Sequence, residues 1–148
     1  MTTGYGAATG EGVASSHGFK TTEARDVVAF KVAGKALDTS WGTDGRQAIQ
    51  SEGAGRPTAE DRGRMALTLP NDRVLQVGRY GGIPAAFVVG KSGQRDPSVS
   101  EDGILELPHE GLDAQFFGAE LSADGKRIAL TTNNHKVGAR LVILEIEG

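Results

Sequence analysis

Cysteine is absent from this 148-residue chain, and aromatics are scarce: one tryptophan, two tyrosines and five phenylalanines. Without thiols there is no disulfide framework, no thiolate zinc site and no cysteine nucleophile. Basic residues hold no majority, with 16 Lys and Arg against 19 Asp and Glu. A net charge of −3 and the lack of a local Lys/Arg cluster argue against nucleic acid as a partner. Long apolar runs are also missing. The longest, Ile83–Val89, is far short of the roughly 20 residues a spanning helix needs, so no membrane partner is expected. No basic segment followed by an apolar run opens the chain, so no secretory signal is expected either. The expectation is a soluble chain, cytoplasmic or built into a particle such as a virion.

Glycine, in contrast, is plentiful: 22 of 148 residues, about twice the usual share. With few aromatics this implies many turns and close backbone approaches. The length sets one domain with its own core. Its densest aliphatic stretch is the last one. Val142, Leu144 and Ile146 alternate with Leu141 and Ile143, so a strand there is apolar on both faces and belongs inside a sheet or an interface. Before it, Ala123-Asp124-Gly125 is a hairpin turn signal. The pattern predicts a three-stranded antiparallel meander over Phe117–Ser122, Lys126–Thr132 and Ala139–Ile146.

A second β unit precedes it: strands at Arg64–Leu69, Arg73–Arg79 and Ile83–Val89, separated by Pro70-Asn71-Asp72 and Tyr80-Gly81-Gly82. Asp26–Val32 alternates as a strand, Leu37–Trp41 is a candidate for another, and Ile104–Leu107 reads as a short edge piece. Gln47–Gly63 reads as a long polar loop, with Thr58-x-x-Asp61 a candidate cap for one helical turn. Residues 1–20, rich in Gly, Ala, Ser and Thr, have no period and are expected to form a flexible arm. The fold class is therefore all-β: an antiparallel sandwich or barrel over 21–148, with an extended N-terminal arm.

The two β units share a layout, with Arg73 and Arg127 set 54 positions apart (127 minus 73). Ser122–Ala129 and Leu69–Val77 resemble the inner hairpins of β-propeller blades. The resemblance covers about half the chain and implies, as an alternative, a propeller-like ligand-binding module or a fragment of a hydrolase. A complete propeller needs at least four blades. In layout, an arm followed by a β domain, the chain is also similar to the decoration or cement proteins of phage capsids. That likeness implies a non-enzymatic structural protein of a symmetric assembly.

Few residues offer chemistry. Gly4-Tyr5-Gly6 and Gly10-Glu11-Gly12 lack the Lys-Ser/Thr and the flanking elements of a phosphate loop. His17, His109 and His135 have no metal-site spacing, and Asp96, Glu101 and Asp102 lack the order of a calcium loop. Glu106, His109, Glu110 and Asp113 form the only carboxylate–imidazole cluster, which a polar connector would equally produce. No catalytic, metal or cofactor residue is assigned, and no cofactor is expected. Tyr5, Phe19, Trp41 and Tyr80 are the candidate interface anchors, for a protein partner or for self-association through the arm.

Overall fold

Strands alternating every second residue and bounded by Gly- and Asp-rich turns should pair with their chain neighbours, and they do. The computed structural model describes residues 2–5, 11–19, 25–49, 61–107, 114–134 and 138–146, with side chains from residue 27 onward except that of Asn134. Among the described residues twelve strands follow in order: β1 (Thr2–Tyr5), β2 (Glu11–Phe19), β3 (Arg25–Ala33), β4 (Ala36–Leu37), β5 (Arg46–Ile49), β6 (Arg62–Thr68), β7 (Val74–Tyr80), β8 (Ile83–Val89), β9 (Ile104–Glu106), β10 (Gln115–Leu121), β11 (Arg127–Asn134) and β12 (Gly138–Glu145). Among the described residues the only helical element is one 3-10 turn, Pro70–Asp72. No described helix is long and apolar enough to cross a membrane.

The strands form three antiparallel sheets. The first is β1-β2-β3-β4 with β5 also on β3, the second is β6-β7-β8-β9, and the third is β10-β11-β12. None closes on itself, so the barrel expectation does not hold. The second sheet lies between the other two. One face gives Leu75, Val77, Ala86 and Val88 to a core shared with Phe116, Ile128 and Leu130 of the third sheet. Its other face gives Tyr80, Ala85, Phe87 and Ile104 to a core shared with Val27 and Ile49 of the first. Every residue of β7 is buried, and every residue of β8 except Ile83.

The two meanders read from the sequence are present with shifts of one or two residues at their ends. Other stretches differ. The first twenty residues, expected as an arm, contain β1 and β2, and β2 runs the full length of β3 from Glu11↔Ala33 to Phe19↔Arg25. Ladder hydrogen bonds come from the backbone, so a Gly/Ser-rich strand can pair without any side-chain period. Arg46–Ile49, read into a polar loop, is β5, and its register Val27↔Ile49 puts Ile49 into the core. The candidate strand Leu37–Trp41 is only the end of the two-residue β4 followed by a turn. Thr58 lies outside the described residues. β12, expected to be enclosed, pairs only with β11 among the described strands and stands at an edge.

The second and third sheets share one design. β6 and β10 each carry an irregularity, between Gly63 and Met65 and between Phe116 and Gly118, leaving Arg64 and Phe117 as the extra residues. The row Met65–Val77–Ala86 of the second sheet is matched by Gly118–Thr131–Leu141 of the third, and Leu67–Leu75–Val88 by Glu120–Ala129–Ile143. The 54-residue echo is therefore a repeat of strand order and register. The units also touch: the Ala119 amide lies 3.3 Å from Met65 Sδ, 54 positions away.

Two buried positions lead to opposite expectations. Opposite the β6 bulge, a Cβ on Gly78 would lie 1.7 Å from the Arg62 carbonyl oxygen, a backbone atom. Gly78→Ala should lower the urea-unfolding free energy by at least about 2 kcal/mol. Gln76, fully buried in β7, has neither amide atom hydrogen-bonded among the described residues. Gln76→Met keeps the volume and removes the unpaired dipole. It should raise stability by about 1–2 kcal/mol, read as a higher urea midpoint at unchanged slope.

Candidate interaction surface

Among the described residues, the two most exposed large hydrophobics lie on the outer side of the third sheet. Alternation along β12 turns Val142, Leu144 and Ile146 to the core and Leu141 and Ile143 outward. Leu141 is 64% and Ile143 52% exposed. Register places Thr131 beside Leu141 and Ala129 beside Ile143. Gly118 and Glu120 extend those two rows on β10. Phe117, the bulge residue, is 45% exposed, and the Arg64 guanidinium sits 5.4 Å from its ring centroid. Arg64 is steered there by its Nε, which donates to Gln115 Oε1 at 3.0 Å. A shallow depression of about 230 Å³ lies on this face, lined by Glu120, Arg127, Ala129 and Ile143 among others. The face carries two exposed aliphatic side chains on its edge strand with the charged Glu120 and Arg127 beside them, and apolar patches next to polar residues mark contact surfaces.

A second hollow, about 380 Å³, opens between the second and third sheets beside Leu75, Val88, Ile128 and Leu144. Ligand sites of this size rely on a few polar groups aimed into them. Here two of the polar rim residues, Arg73 and Ser98, serve the fold: Arg73 lies 3.5 Å from the Asp96 carboxylate, which also accepts from the Ser98 amide at 2.9 Å.

Of the four residues expected as interface anchors, Trp41 and Tyr80 do not lie on this surface. Trp41 and Tyr80 are 3% and 6% exposed and lie between the first and second sheets. Trp41 packs with Ala29 and Val89, and Tyr80 meets Phe87 edge-on with centroids 6.1 Å apart. They anchor one sheet to the next within the chain, because a large ring beside small residues such as Ala29 and Ala85 fills the space between sheets. Tyr5 and Phe19 end β1 and β2, pairing with Gly12 and Arg25, and their side chains lie outside the described residues. Of the acidic–histidine cluster only Glu106 is described, on β9. His109, Glu110 and Asp113, like His135, lie outside the described residues, and His17 is described only as backbone of β2. Among the described residues no three His, Asp or Glu side chains are grouped to hold a metal ion. The exposed pair Leu141 and Ile143 was legible as a strand apolar on both faces. That such a strand would leave one face open was not.

Serine–aspartate turns connect the strands. Asp38 accepts from the amide and hydroxyl of Ser40, Asp96 from the Ser98 amide, and Asp124 from the Ser122 hydroxyl and the Lys126 amide. Lys31 adds an ion pair to Asp38 at 2.9 Å. Hydrogen bonds from serine, first among the causes, hold all three carboxyls below the ordinary carboxylate range. Comparison with protein families, with curated proteins and with solved structures found no match for this chain.

For a carboxyl whose folded pKa is lowered, the unfolded chain takes up protons first as pH falls. The stabilisation is complete above the unfolded value near about 4 and is lost on descending through the folded values. Urea midpoints should therefore be level from about pH 7 to 5 and drop below about pH 4. The double variant Ser40→Ala/Ser122→Ala should start from a lower midpoint at neutral pH and show a shallower acid fall.

Proposed function

We propose that this chain is a non-enzymatic structural protein that works by self-association, with the outer face of the third sheet as its contact. The exposure of Leu141 and Ile143 on the outward side of the edge strand β12 carries this reading. Burying one such side chain gives about 1.5–3 kcal/mol, and leaving two open side by side is what contact surfaces do. The fold behind it is read as an open, propeller-like stack of three meanders, supported by the matched bulges and rows of the second and third sheets. In this reading the contact lies on a sheet face, since β1 and β2 pair within the first sheet.

Light scattering behind size exclusion tests it. The wild-type chain should elute at a multiple of its 15.4 kDa mass at micromolar concentration. Leu141→Glu/Ile143→Lys should elute as a monomer with an unchanged far-ultraviolet spectrum. A wild-type chain that stays monomeric across the concentration range overturns the reading.

A further inference from the structure

We infer that the outer face of the third sheet receives the outer face of the first sheet of a second copy of this chain, so that copies join head to tail. The inference rests on the self-association reading above and says which surface meets which.

The chain already contains this contact twice, first sheet on second and second on third, and the equivalent positions can be fixed by hydrogen bonds. In the first sheet the Lys31 amide donates to the Gly45 carbonyl at 3.0 Å, and the Asp38 amide to the Lys31 carbonyl at 2.9 Å. In the second, Val88 donates to Gly103 at 3.2 Å, and Asp96 to Val88 at 2.8 Å. Lys31 thus stands where Val88 stands, Asp38 where Asp96 does and Gly45 where Gly103 does. Both aspartates cap their turn with a serine two residues on, and both glycines have positive φ, 81° and 72°. By the same register Ala29 corresponds to Ala86, and Val28, Phe30 and Val32 correspond to Ala85, Phe87 and Val89. Between the second and third sheets the matched rows make Ala86 equivalent to Leu141 and Val88 to Ile143.

These equivalences say what each open face is for. Ala85, Phe87 and Val89 are the residues with which the second sheet receives the first, and all three are buried. Their counterparts in the first sheet, Val28, Phe30 and Val32, are only partly covered and carry the same apolar pattern, with Phe30 repeating Phe87. Ala86 and Val88 are the residues with which the second sheet receives the third. Their counterparts in the third sheet, Leu141 and Ile143, are exposed. One end of the stack therefore presents the receiving surface and the other end the received one. Phe117 fits the same scheme: Arg64, the equivalent bulge residue of β6, reaches forward onto the next sheet to touch Phe117. Phe117 is placed to reach forward in turn.

A specific contact follows. Ala29 of the first sheet clusters with Val89 of the second, and Ala86 of the second with Leu144 of the third. The next member of that series is Leu141 of one copy against Val32 of another. Contacts between unlike faces generate closed rings or open filaments. With three sheets per chain, two copies supply six, inside the range of about four to eight in closed propellers.

The absence of native cysteine makes the test clean. Val32→Cys and Leu141→Cys are prepared with different tags, each checked for a wild-type melting curve, then mixed and air-oxidised. A dimer carrying both tags should form in the mixture on a non-reducing gel, while neither variant alone should cross-link. Cross-linking of Leu141→Cys to itself would show that like faces meet and would overturn the inference while leaving self-association intact. Light-scattering multimers without a Val32–Leu141 cross-link would do the same. A monomeric wild-type chain would overturn both. If Val32→Cys melts early, Phe30→Cys takes its place against Ile143→Cys with the same outcomes.

Discussion

A sheet buried on both faces is the constraint from which the rest of this structure follows. β7 and β8 present side chains alternately to the two neighbouring sheets and leave almost none to solvent. A strand pair covered on both sides must be apolar throughout, which is why Val74–Tyr80 and Ile83–Val89 carry so little charge. It must also be flanked by two separate layers, and the chain supplies one before it and one after it. Each buried aliphatic side chain contributes on the order of 1.5–3 kcal/mol, so the middle sheet alone outweighs any surface ion pair here, worth about 1 kcal/mol or less. Pairs such as Lys91–Asp72, with both side chains more than two-thirds exposed, decorate the fold without holding it.

Close stacking of sheets requires that something small stand where backbones approach, and glycine does so at defined points. Gly93, at a φ of 83°, lies against Gly42 of the first sheet's turn: a Cβ there would meet the Gly42 nitrogen at 2.3 Å and the Trp41 ring at 2.8 Å. The Gly42 amide donates to the Ser92 carbonyl at 2.9 Å, so the two turns are joined by a backbone bond across the sheet boundary. Trp41 is held in the same corner, which explains its burial better than a partner would. The glycine excess of the composition is thus partly the cost of packing sheet on sheet.

Legibility in the sequence followed the physics of each segment. The two meanders were readable because their strands alternate and their turns carry Pro-Asn-Asp, Gly-Gly and Asp-Gly, residues that adopt turn backbone readily. β1 and β2 were not, because Gly-, Ser- and Thr-rich strands show no period when their pairing comes from the backbone alone. β5 was hidden by Arg46 and Gln47, since only its last residue, Ile49, enters the core. Trp41 and Tyr80, expected as interface anchors, are buried between the first and second sheets. Ring size says that a side chain holds two layers together and says nothing about whether both belong to one chain.

The same ambiguity gives the final strand its meaning. A strand with aliphatic residues on both faces implies two covering layers, and among the described residues Leu141–Ile146 has one. The sequence logic that makes the middle sheet apolar on both faces therefore runs on unchanged into the third, where the chain's own packing covers a single face. The register of β12 against β11 is as regular as that of β8 against β7, so the open face is built like its buried counterpart. Partly uncovered on the opposite end are Val28, Phe30 and Val32, in the pattern that the second sheet uses to receive a neighbour. Among the described residues, the two ends carry apolar patterns equivalent to the two sides of the contact that recurs between the sheets inside the chain.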